Sequence, residues 1–385
     1  MQNKYGNRSG AIILEGHVQG LSNLRSLGQL DIPIFVVDQT RCLAQYSRFC
    51  TKAFRCPPFQ SDGFVPYLIK LAKEEGIKDW ILVPSNDHIV EQLAQHRDKL
   101  GQYYRMAIPN IETLENIVDK WKLSQIANEL GVPTPRTCCS ENVDMANNFH
   151  YPVLIKGRRG LSFYKHFHRK TIIAHNYSEL QTLLSSTDYR DYIVQEQLSN
   201  TGNRVFSFTC FSQNGVIKTH WTGIKLREHP PLHGTATLAQ SMPDPGLLPL
   251  GMSLIHRLNY TGVCEIEFML DERDGQYKLI EINPRTWLWV GLARACGIDY
   301  AKIQYRYLHN EEQSFANDYI TNLKWINTIT DFPYALFSIM KGKLSIPDYI
   351  QSLCGKKVHA IWDIHDPIPT LMLPFLSATI IKRRK

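Results

Sequence analysis

The chain has 385 residues, 43% hydrophobic and 21% charged, a composition typical of globular proteins that excludes a largely disordered chain. Its formal net charge of +7 suits an enzyme with anionic ligands but is too small and scattered to indicate nucleic-acid binding. The nine cysteines form no C-x-x-C pair and no zinc-site spacing, which favours reduced thiols in a cytoplasmic protein. No apolar run reaches the roughly 20 residues of a transmembrane helix.

Residues 1–115 predict a βαβ lobe with a parallel sheet. Apolar runs at 11–14 and 34–37 flank a helical pattern, and a third apolar run follows before residues 85–87. Ligands of such sheets bind beyond the carboxyl ends of the strands. A nicotinamide site is disfavoured, because the first turn, E-G-H-V-Q-G, is not a G-x-G-x-x-G fingerprint. Asp38, at a strand end, remains compatible with either a substrate contact or a turn cap.

The next segment, residues 116–200, carries groups suited to a nucleotide. An amphipathic helix is predicted at 119–131, and an apolar strand ends at Lys156 before a glycine-bounded loop. Glycine lets backbone N–H groups approach phosphate oxygens, although a strand-end lysine is more often simply solvated. A further strand ends in acceptors suited to adenine or ribose. The candidate nucleotide-binding residues are Lys120, Lys156, Gly157, Gly160, Gln195 and Glu196.

Two hairpins are predicted in residues 201–315, with turns at 213–215 and 274–275. In the second hairpin, Glu265 and Glu267 are two residues apart, as are Glu281 and Asn283 in its other strand. Each pair therefore projects from one face of its strand, and the hairpin can set Glu267 beside Glu281.

Carboxylates bunched within apolar strands repel each other unless a cation neutralises them. Oxygen ligands of this kind select magnesium, with manganese as an alternative, and the predicted metal ligands are Glu267, Glu281 and Asn283. Arg285 follows the strand and is placed to clamp a phosphoryl or carboxylate oxygen. A salt-bridged surface hairpin is the structural alternative, which the apolar flanks disfavour.

The order of these motifs is DK at a helix start, VLIK before a glycine loop, VQE at a strand end, then E-I-E-F and E-I-N-P-R on a hairpin. This succession resembles the ATP-grasp superfamily over about residues 11–300. The segment GIKLREHPPLHGTATLAQS resembles its carboxylate–amine ligase (carboligase) branch, to which D-aspartate ligases are related. The resemblance implies an α/β (α+β) fold, with an N-terminal Rossmann-like parallel-sheet lobe and a two-lobed ATP-grasp domain with antiparallel sheets. Its implied boundaries are 1–115, 116–200 and 201–315, followed by a C-terminal extension, 316–385, without an assigned role.

The resemblance also implies roles for individual residues. Lys120 and Lys156 would hold the ATP phosphates, and Glu196 with its neighbours would face the adenosine. Arg285 would steady the transferring phosphoryl group. The residues facing the acyl phosphate or the substrate carboxylate would be Lys225 and Arg227.

Two features depart from the family pattern. The loop after Lys156, GRRGLSFYKH, is bulkier and more basic than usual, and Arg204 stands where many relatives have an acidic residue. Both bear on the nucleotide contacts. The segments 157–165 and 227–236 are candidate lids over a water-sensitive intermediate.

The implied reaction is ATP- and magnesium-dependent activation of a small-molecule carboxylate as an acyl phosphate, which an amine then attacks. One substrate is expected to be an amino acid, and a homodimer is compatible with the sequence. Three alternatives remain: a small-molecule kinase on the same scaffold, a nucleotide-binding regulatory protein without turnover, and a membrane-surface module built on residues 371–385. Product analysis and liposome sedimentation would separate them.

Overall fold

The computed structural model of the protein describes residues 9–199, 205–230, 234–315 and 318–376. Arg204 and the basic residues 382–385 lie outside this part of the chain, as do residues 231–233 of one candidate lid. Within the described residues, no helix is both long and apolar enough to span a bilayer.

The N-terminal lobe is a parallel sheet, as predicted. Its strand order is β3-β2-β1-β4-β5. The strands are β1 (Ala11–Leu14), β2 (Ile34–Asp38), β3 (Lys52–Arg55), β4 (Trp80–Pro84) and β5 (Tyr104–Arg105). The helices are α1 (Val18–Leu27), α2 (Phe64–Glu75), α3 (Asp87–Gln95), α4 (Arg97–Gly101) and α5 (Ile111–Val118). Edge strand β3 was not predicted, because its sequence KAFR is mostly exposed and has no apolar run.

A four-stranded antiparallel sheet forms the small lobe, in the order β6-β9-β7-β8. Its strands are β6 (Thr137–Cys139), β7 (Val153–Gly157), β8 (Ile172–Ala174) and β9 (Tyr192–Glu196). The helices of this segment are α6 (Lys120–Glu129), α7 (Gly160–Phe167) and α8 (Tyr177–Ser185). Helices α5 and α6, which the predicted division assigns to different lobes, both contribute buried residues to the core of the large lobe.

Helix α7 corrects one expectation. The segment 157–165 was expected to be a loop, but the helix begins at Gly160 and leaves only two residues between it and β7. Phe163 is fully buried, and a Cβ added at Gly157 would lie 2.4 Å from the Phe163 Cβ. The aromatic pair Phe163 and Phe167, four residues apart with ring centroids 4.6 Å from each other, stabilises a helical turn here.

The large lobe is built on a seven-stranded sheet in the order β14-β13-β10-β11-β12-β15-β16. Its strands are β10 (Val205–Gln213), β11 (Val216–His229), β12 (Thr235–Ser241), β13 (Gly262–Asp271), β14 (Gln276–Asn283), β15 (Lys324–Ile326) and β16 (Lys357–His359). Its helices are α9 (Leu247–Arg257), α10 (Val290–Ala295), α11 (Tyr300–Leu308), α12 (Thr328–Met340), α13 (Ile346–Ser352) and α14 (Ile368–Leu371). Both predicted hairpin turns are confirmed, with Asn214, Gly215 and Gly275 at positive φ.

The segment after residue 315 completes this architecture. β15 pairs with β12 and β16 pairs with β15, so the segment extends the large sheet. Asp366 is buried and accepts hydrogen bonds from the Arg25 and Ser47 side chains and from the Arg48 backbone. The C-terminal segment therefore docks on the N-terminal lobe as far as the structure describes it.

The N-terminal and large lobes also share one hydrophobic core. Leu21 and Leu24 of α1 belong to the same buried cluster as Trp221, Trp287 and Tyr300 of the large lobe. Val83 of β4 and Val263 of the second hairpin belong to this cluster as well.

Candidate active site

The acidic residues of the second hairpin lie on one face of the large sheet. Glu267 pairs directly with Glu281, and Glu265 pairs with Asn283, across β13 and β14. Ser207 of β10 lies opposite Glu267 on the other side. The alternation of strand side chains and the observed register therefore bring these groups together, as the spacing in the sequence predicts.

Lys225 of β11 reaches across this face to Glu267. Its Nζ donates to both carboxylate oxygens of Glu267, at 2.8 and 2.9 Å, and both side chains are largely buried. Burial opposes the charged form of Lys225, but the negative charges of Glu267 and Glu265 outweigh it and raise the pKa of the lysine. Lys225 is therefore a fixed positive charge within the acidic face.

One lysine does not neutralise the whole acidic face. Glu265 is buried and accepts hydrogen bonds from Ser207 Oγ at 2.7 Å and Asn283 Nδ2 at 3.1 Å. Burial, followed by the charge of Glu267, raises the pKa of Glu265 to about 8. Burial also raises the pKa of Glu267, although Lys225 opposes that change. Besides burial, repulsion between neighbouring carboxylates contributes to both shifts, and a further cation would relieve that repulsion.

The donor set fits a hard divalent cation. Glu267, Glu281 and Asn283 present oxygen atoms on one surface, the ligand type that magnesium prefers. No group of three or more His, Cys, Asp and Glu residues forms a metal site in the described chain. Two carboxylates and an amide suit a cation that takes its remaining ligands from nucleotide phosphates and water.

Arg285 joins this face to the N-terminal lobe. Its Nη2 donates to Asp87 Oδ2 at 3.0 Å, and its Nε lies 2.8 Å from Asp87 Oδ1. Nη2 also donates to Asn283 Oδ1 at 3.2 Å. Burial opposes the charge of the guanidinium, but Asp87 outweighs it and raises the pKa of Arg285. Asp87 begins α3 just after β4, at the strand end where a ligand contact is predicted from the sequence.

The small lobe contributes positive groups facing the hairpin. Lys156 Nζ donates to Gln195 Oε1 at 3.1 Å. Burial, followed by the positive charge of Lys120, lowers the pKa of Lys156 to about 8, while Glu281 raises it. A Cβ built at Gly160 would lie 4.0 Å from Lys120 Nζ. Lys120, Lys156 and Gly160 are thus close in space, within electrostatic reach of Glu281.

Glu196 does not join this group. It follows Gln195 in β9, and adjacent residues of a strand face opposite sides of the sheet. Its carboxylate accepts a hydrogen bond from the His150 backbone at 2.8 Å and lies within 3.7 Å of Arg136 and Arg273. The expectation that the Glu196 side chain faces the adenosine therefore does not agree with this geometry.

Arg227 is also placed differently from the expectation. It makes two hydrogen bonds to the fully buried Asp331 of α12, at 2.8 and 2.9 Å, and a third to Ser352. The β11–β12 register shifts between Lys225 and Arg227, so residues two apart no longer share a face. Glu228 instead acts electrostatically on Lys225. Arg227 holds the C-terminal helices rather than the reacting groups.

The comparisons with known proteins agree with this arrangement. The family model described as "Carbamoyl-phosphate synthase L chain, ATP binding domain" matches residues 247–312, which include the acidic hairpin and Arg285. The D-aspartate ligase of Enterococcus faecium is 22% identical over 250 residues, which cover 60% of this chain. The chain spans 59% of the length of that curated relative.

Solved structures resemble most of the chain. The biotin carboxylase domain of the Hydrogenobacter thermophilus 2-oxoglutarate carboxylase, in complex with MgADP and bicarbonate, has a TM-score of 0.64 and 17% identity, covering 83% of this chain and 74% of that one. N5-carboxyaminoimidazole synthetase from Staphylococcus aureus has a TM-score of 0.63 and 16% identity, covering 83% of this chain and 80% of that one. The chain has the ATP-grasp fold. The L-amino acid ligase of Bacillus licheniformis, another ATP-grasp protein, has a TM-score of 0.58 and 13% identity, covering 78% of this chain and 74% of that one. The resemblance identified from the motifs is therefore confirmed.

Proposed function

We propose that this protein is an ATP- and magnesium-dependent ligase that activates a carboxylate as an acyl phosphate and joins it to an amine, releasing ADP and phosphate. The observation that carries the proposal is the pairing of Glu267 with Glu281 beside Arg285, within electrostatic reach of Lys156 on the small lobe. The positive groups of the small lobe match the phosphates of a nucleoside triphosphate, and the carboxylates of the hairpin match a divalent cation.

Within this proposal, each lobe has its own task. The small lobe binds the nucleotide, and its phosphate-facing residues are Lys120, Lys156, Gly157 and Gly160, with Gln195 positioning Lys156. The large lobe holds the cation through Glu267, Glu281 and Asn283. Magnesium, when bound there, neutralises phosphate charge; manganese has the same preference for oxygen ligands.

The chemistry requires stabilisation of a transferring phosphoryl group. An oxygen of the substrate carboxylate attacks the γ-phosphorus of ATP, the bond to the bridging oxygen breaks, and ADP leaves. Arg285, oriented by Asp87, would stabilise the charge of the transferring phosphoryl group, and Lys225 would add a fixed positive charge. The amine then attacks the acyl carbon and phosphate leaves.

The names of the similar proteins support a small-molecule substrate pair with an amino acid as one member, since D-aspartate and L-amino acid ligases are among them. The biotin carboxylase domain described above is a dimer, which supports a homodimer for this chain. No disulfide bond forms among the described residues, and a cytoplasmic location is part of the proposal.

The test is ATP consumption by the purified chain with magnesium, against arrays of amino acids and small carboxylates, with ADP resolved from AMP. We expect ADP and free phosphate to form only with both a carboxylate and an amine, and the Glu281→Ala variant to be inactive. AMP as the product would overturn the acyl-phosphate route. Phosphate retained on the product would identify a kinase, and nucleotide binding without turnover would favour a regulatory protein.

A further inference from the structure

Helix α12 has its polar and apolar faces reversed relative to an ordinary surface helix. Its buried residues are small or polar: Asp331, Ala335 and Ser338. Its outward residues are large and apolar. They are Ile329, Phe332, Leu336, Phe337 and Met340, each about half exposed or more. A surface helix that only covers a core shows the opposite arrangement.

Helix α13 exposes apolar side chains as well. Ile346 and Ile350, four residues apart and therefore on one side of the helix, are each 59% exposed. Arg227 ties the two helices together, because it bonds both Asp331 of α12 and Ser352 of α13. We call the exposed apolar residues of α12 and α13 the apolar helix pair.

The surface is concentrated in one part of the chain. More than half of the exposed large hydrophobic side chains of the described residues lie between 329 and 375. Monomeric proteins rarely expose contiguous apolar patches of this kind unless they mark an interaction site. We therefore infer that the apolar helix pair is a binding surface.

Positive charge lies beside the apolar helix pair at Lys341 and follows closely in the sequence. Lys341, Lys343 and Lys356 are exposed, and the sequence from 341 to 357 contains four lysines and one acidic residue, Asp348. Lys341 Nζ lies 4.3 Å from the centroid of the Phe337 ring, so charge and apolar surface are adjacent. Four further basic residues end the sequence at 382–385.

This charge distinguishes between two occupants. A second copy of the chain, related by a two-fold axis, would bring the same patch against itself and set lysines near lysines. An anionic lipid surface instead offers an apolar layer beneath a layer of phosphates, which matches both parts of the patch. We propose that the apolar helix pair docks on an anionic lipid surface, with its apolar side chains at the acyl boundary and its lysines on the phosphates.

The docking surface is joined to the candidate active site. Arg227, which holds α12 and α13, belongs to β11, the strand that carries Lys225. His229 of the same strand contacts Tyr334 of α12, with ring centroids 4.9 Å apart. Lipid docking would thus place this end of the large lobe at the membrane surface. The proposal rests on exposure and charge and stands apart from the proposed reaction.

The experiment is flotation of the full chain with two kinds of vesicle, phosphatidylcholine alone and phosphatidylcholine with phosphatidylglycerol. We expect binding to the anionic vesicles that weakens at high salt. The Phe332→Ser/Phe337→Ser variant should lose binding by about tenfold or more. The Lys341→Gln/Lys343→Gln variant should bind more weakly and lose most of its salt dependence.

Matched controls separate the effect of this surface from a general loss of apolar side chains or of folding. Val216→Ser/Met252→Ser removes two equally exposed apolar side chains of β11 and α9 and should bind as the unaltered chain does. Circular dichroism checks folding, and Met340→Ser/Ile350→Ser replaces the phenylalanine variant if that variant unfolds. The proposal would be overturned if the unaltered chain and the phenylalanine variant floated equally with anionic vesicles. It would also be overturned if binding were lost only when residues 377–385 are deleted. A dimer in solution that the phenylalanine variant dissociates, without vesicle binding, would assign the surface to a second copy.

Discussion

Arg285 of the large lobe donates a hydrogen bond to Asp87 of the N-terminal lobe, with Nη2 3.0 Å from Oδ2. The same guanidinium donates to Asn283, one of the proposed magnesium ligands. The N-terminal lobe therefore orients a group of the candidate active site through one carboxylate, besides any part it has in substrate choice.

The Asp87→Asn variant tests this relationship. Loss of the negative charge leaves Arg285 less firmly oriented, and a misplaced catalytic group can reduce turnover by roughly 10²-fold. We expect kcat to fall while the KM for ATP changes little, because the lysines of the small lobe are unaltered. Steady-state kinetics of the reaction found in the substrate array measures both. The control is Asp62→Asn, at an exposed position of the same lobe. An Asp87→Asn variant with unaltered kcat would contradict the role of Asp87 in positioning Arg285.

The proposed metal ligands give a second prediction. Glu281→Gln keeps the size of the side chain and removes one anionic ligand, so the magnesium concentration for half-maximal activity should rise by roughly 10-fold or more. Titration of activity with magnesium checks it, and Glu112→Gln, exposed on α5, is the control. An unchanged magnesium dependence would remove Glu281 from the metal site.

The pKa of Lys156 predicts how nucleotide affinity depends on pH. Burial, followed by the charge of Lys120, lowers this pKa to about 8 in the free protein. Below pH 8 the lysine is protonated and attracts phosphate; above pH 8 binding must first take up a proton, so MgADP affinity should fall, by at most about tenfold per pH unit. Calorimetric titration at several pH values from about 7 to about 9.5, on both sides of that pKa, measures this fall.

The Lys156→Arg variant is the control for this profile, because arginine keeps its charge throughout the range. Its MgADP affinity should lose the inflection near pH 8. An inflection that persists in this variant would assign it to another group.

The ion pair of Arg227 with Asp331 predicts a stability effect. Asp331 is fully buried and receives two hydrogen bonds from Arg227 and one from Thr237. Asp331→Asn leaves the arginine without its anionic partner, and removing one member of a buried pair costs about 3 kcal/mol. Chemical denaturation measures the free energy of unfolding. Asp318→Asn, at an exposed position of the C-terminal segment, should change it by less than about 0.5 kcal/mol, and equal values for the two variants would contradict the account.

The sequence predicted the acidic face because two short-range rules determine it. Strand side chains alternate, and the turn at Asp274 and Gly275 determines which residues of the hairpin face each other. The pairing of Glu267 with Glu281 follows from these rules. The parallel N-terminal sheet followed in the same way from apolar runs separated by a helical pattern.

Other features depend on local irregularity or on distant partners. A register shift in β11 separates Arg227 from Lys225, and alternation alone does not reveal it. Asp331 lies more than a hundred residues from Arg227, and Asp87 lies farther still from Arg285. Strand β15 has three residues, too few for a periodic signal. These are contacts that only the folded chain brings together.

The most direct test of the central claim follows one oxygen atom. The carboxylate substrate identified in the array is labelled with ¹⁸O in its carboxyl group and turned over with magnesium, ATP and the amine. An acyl phosphate transfers one carboxyl oxygen to phosphate, so we predict one ¹⁸O atom in each phosphate released, together with ADP. Unlabelled phosphate, or a label found in AMP, would contradict the account.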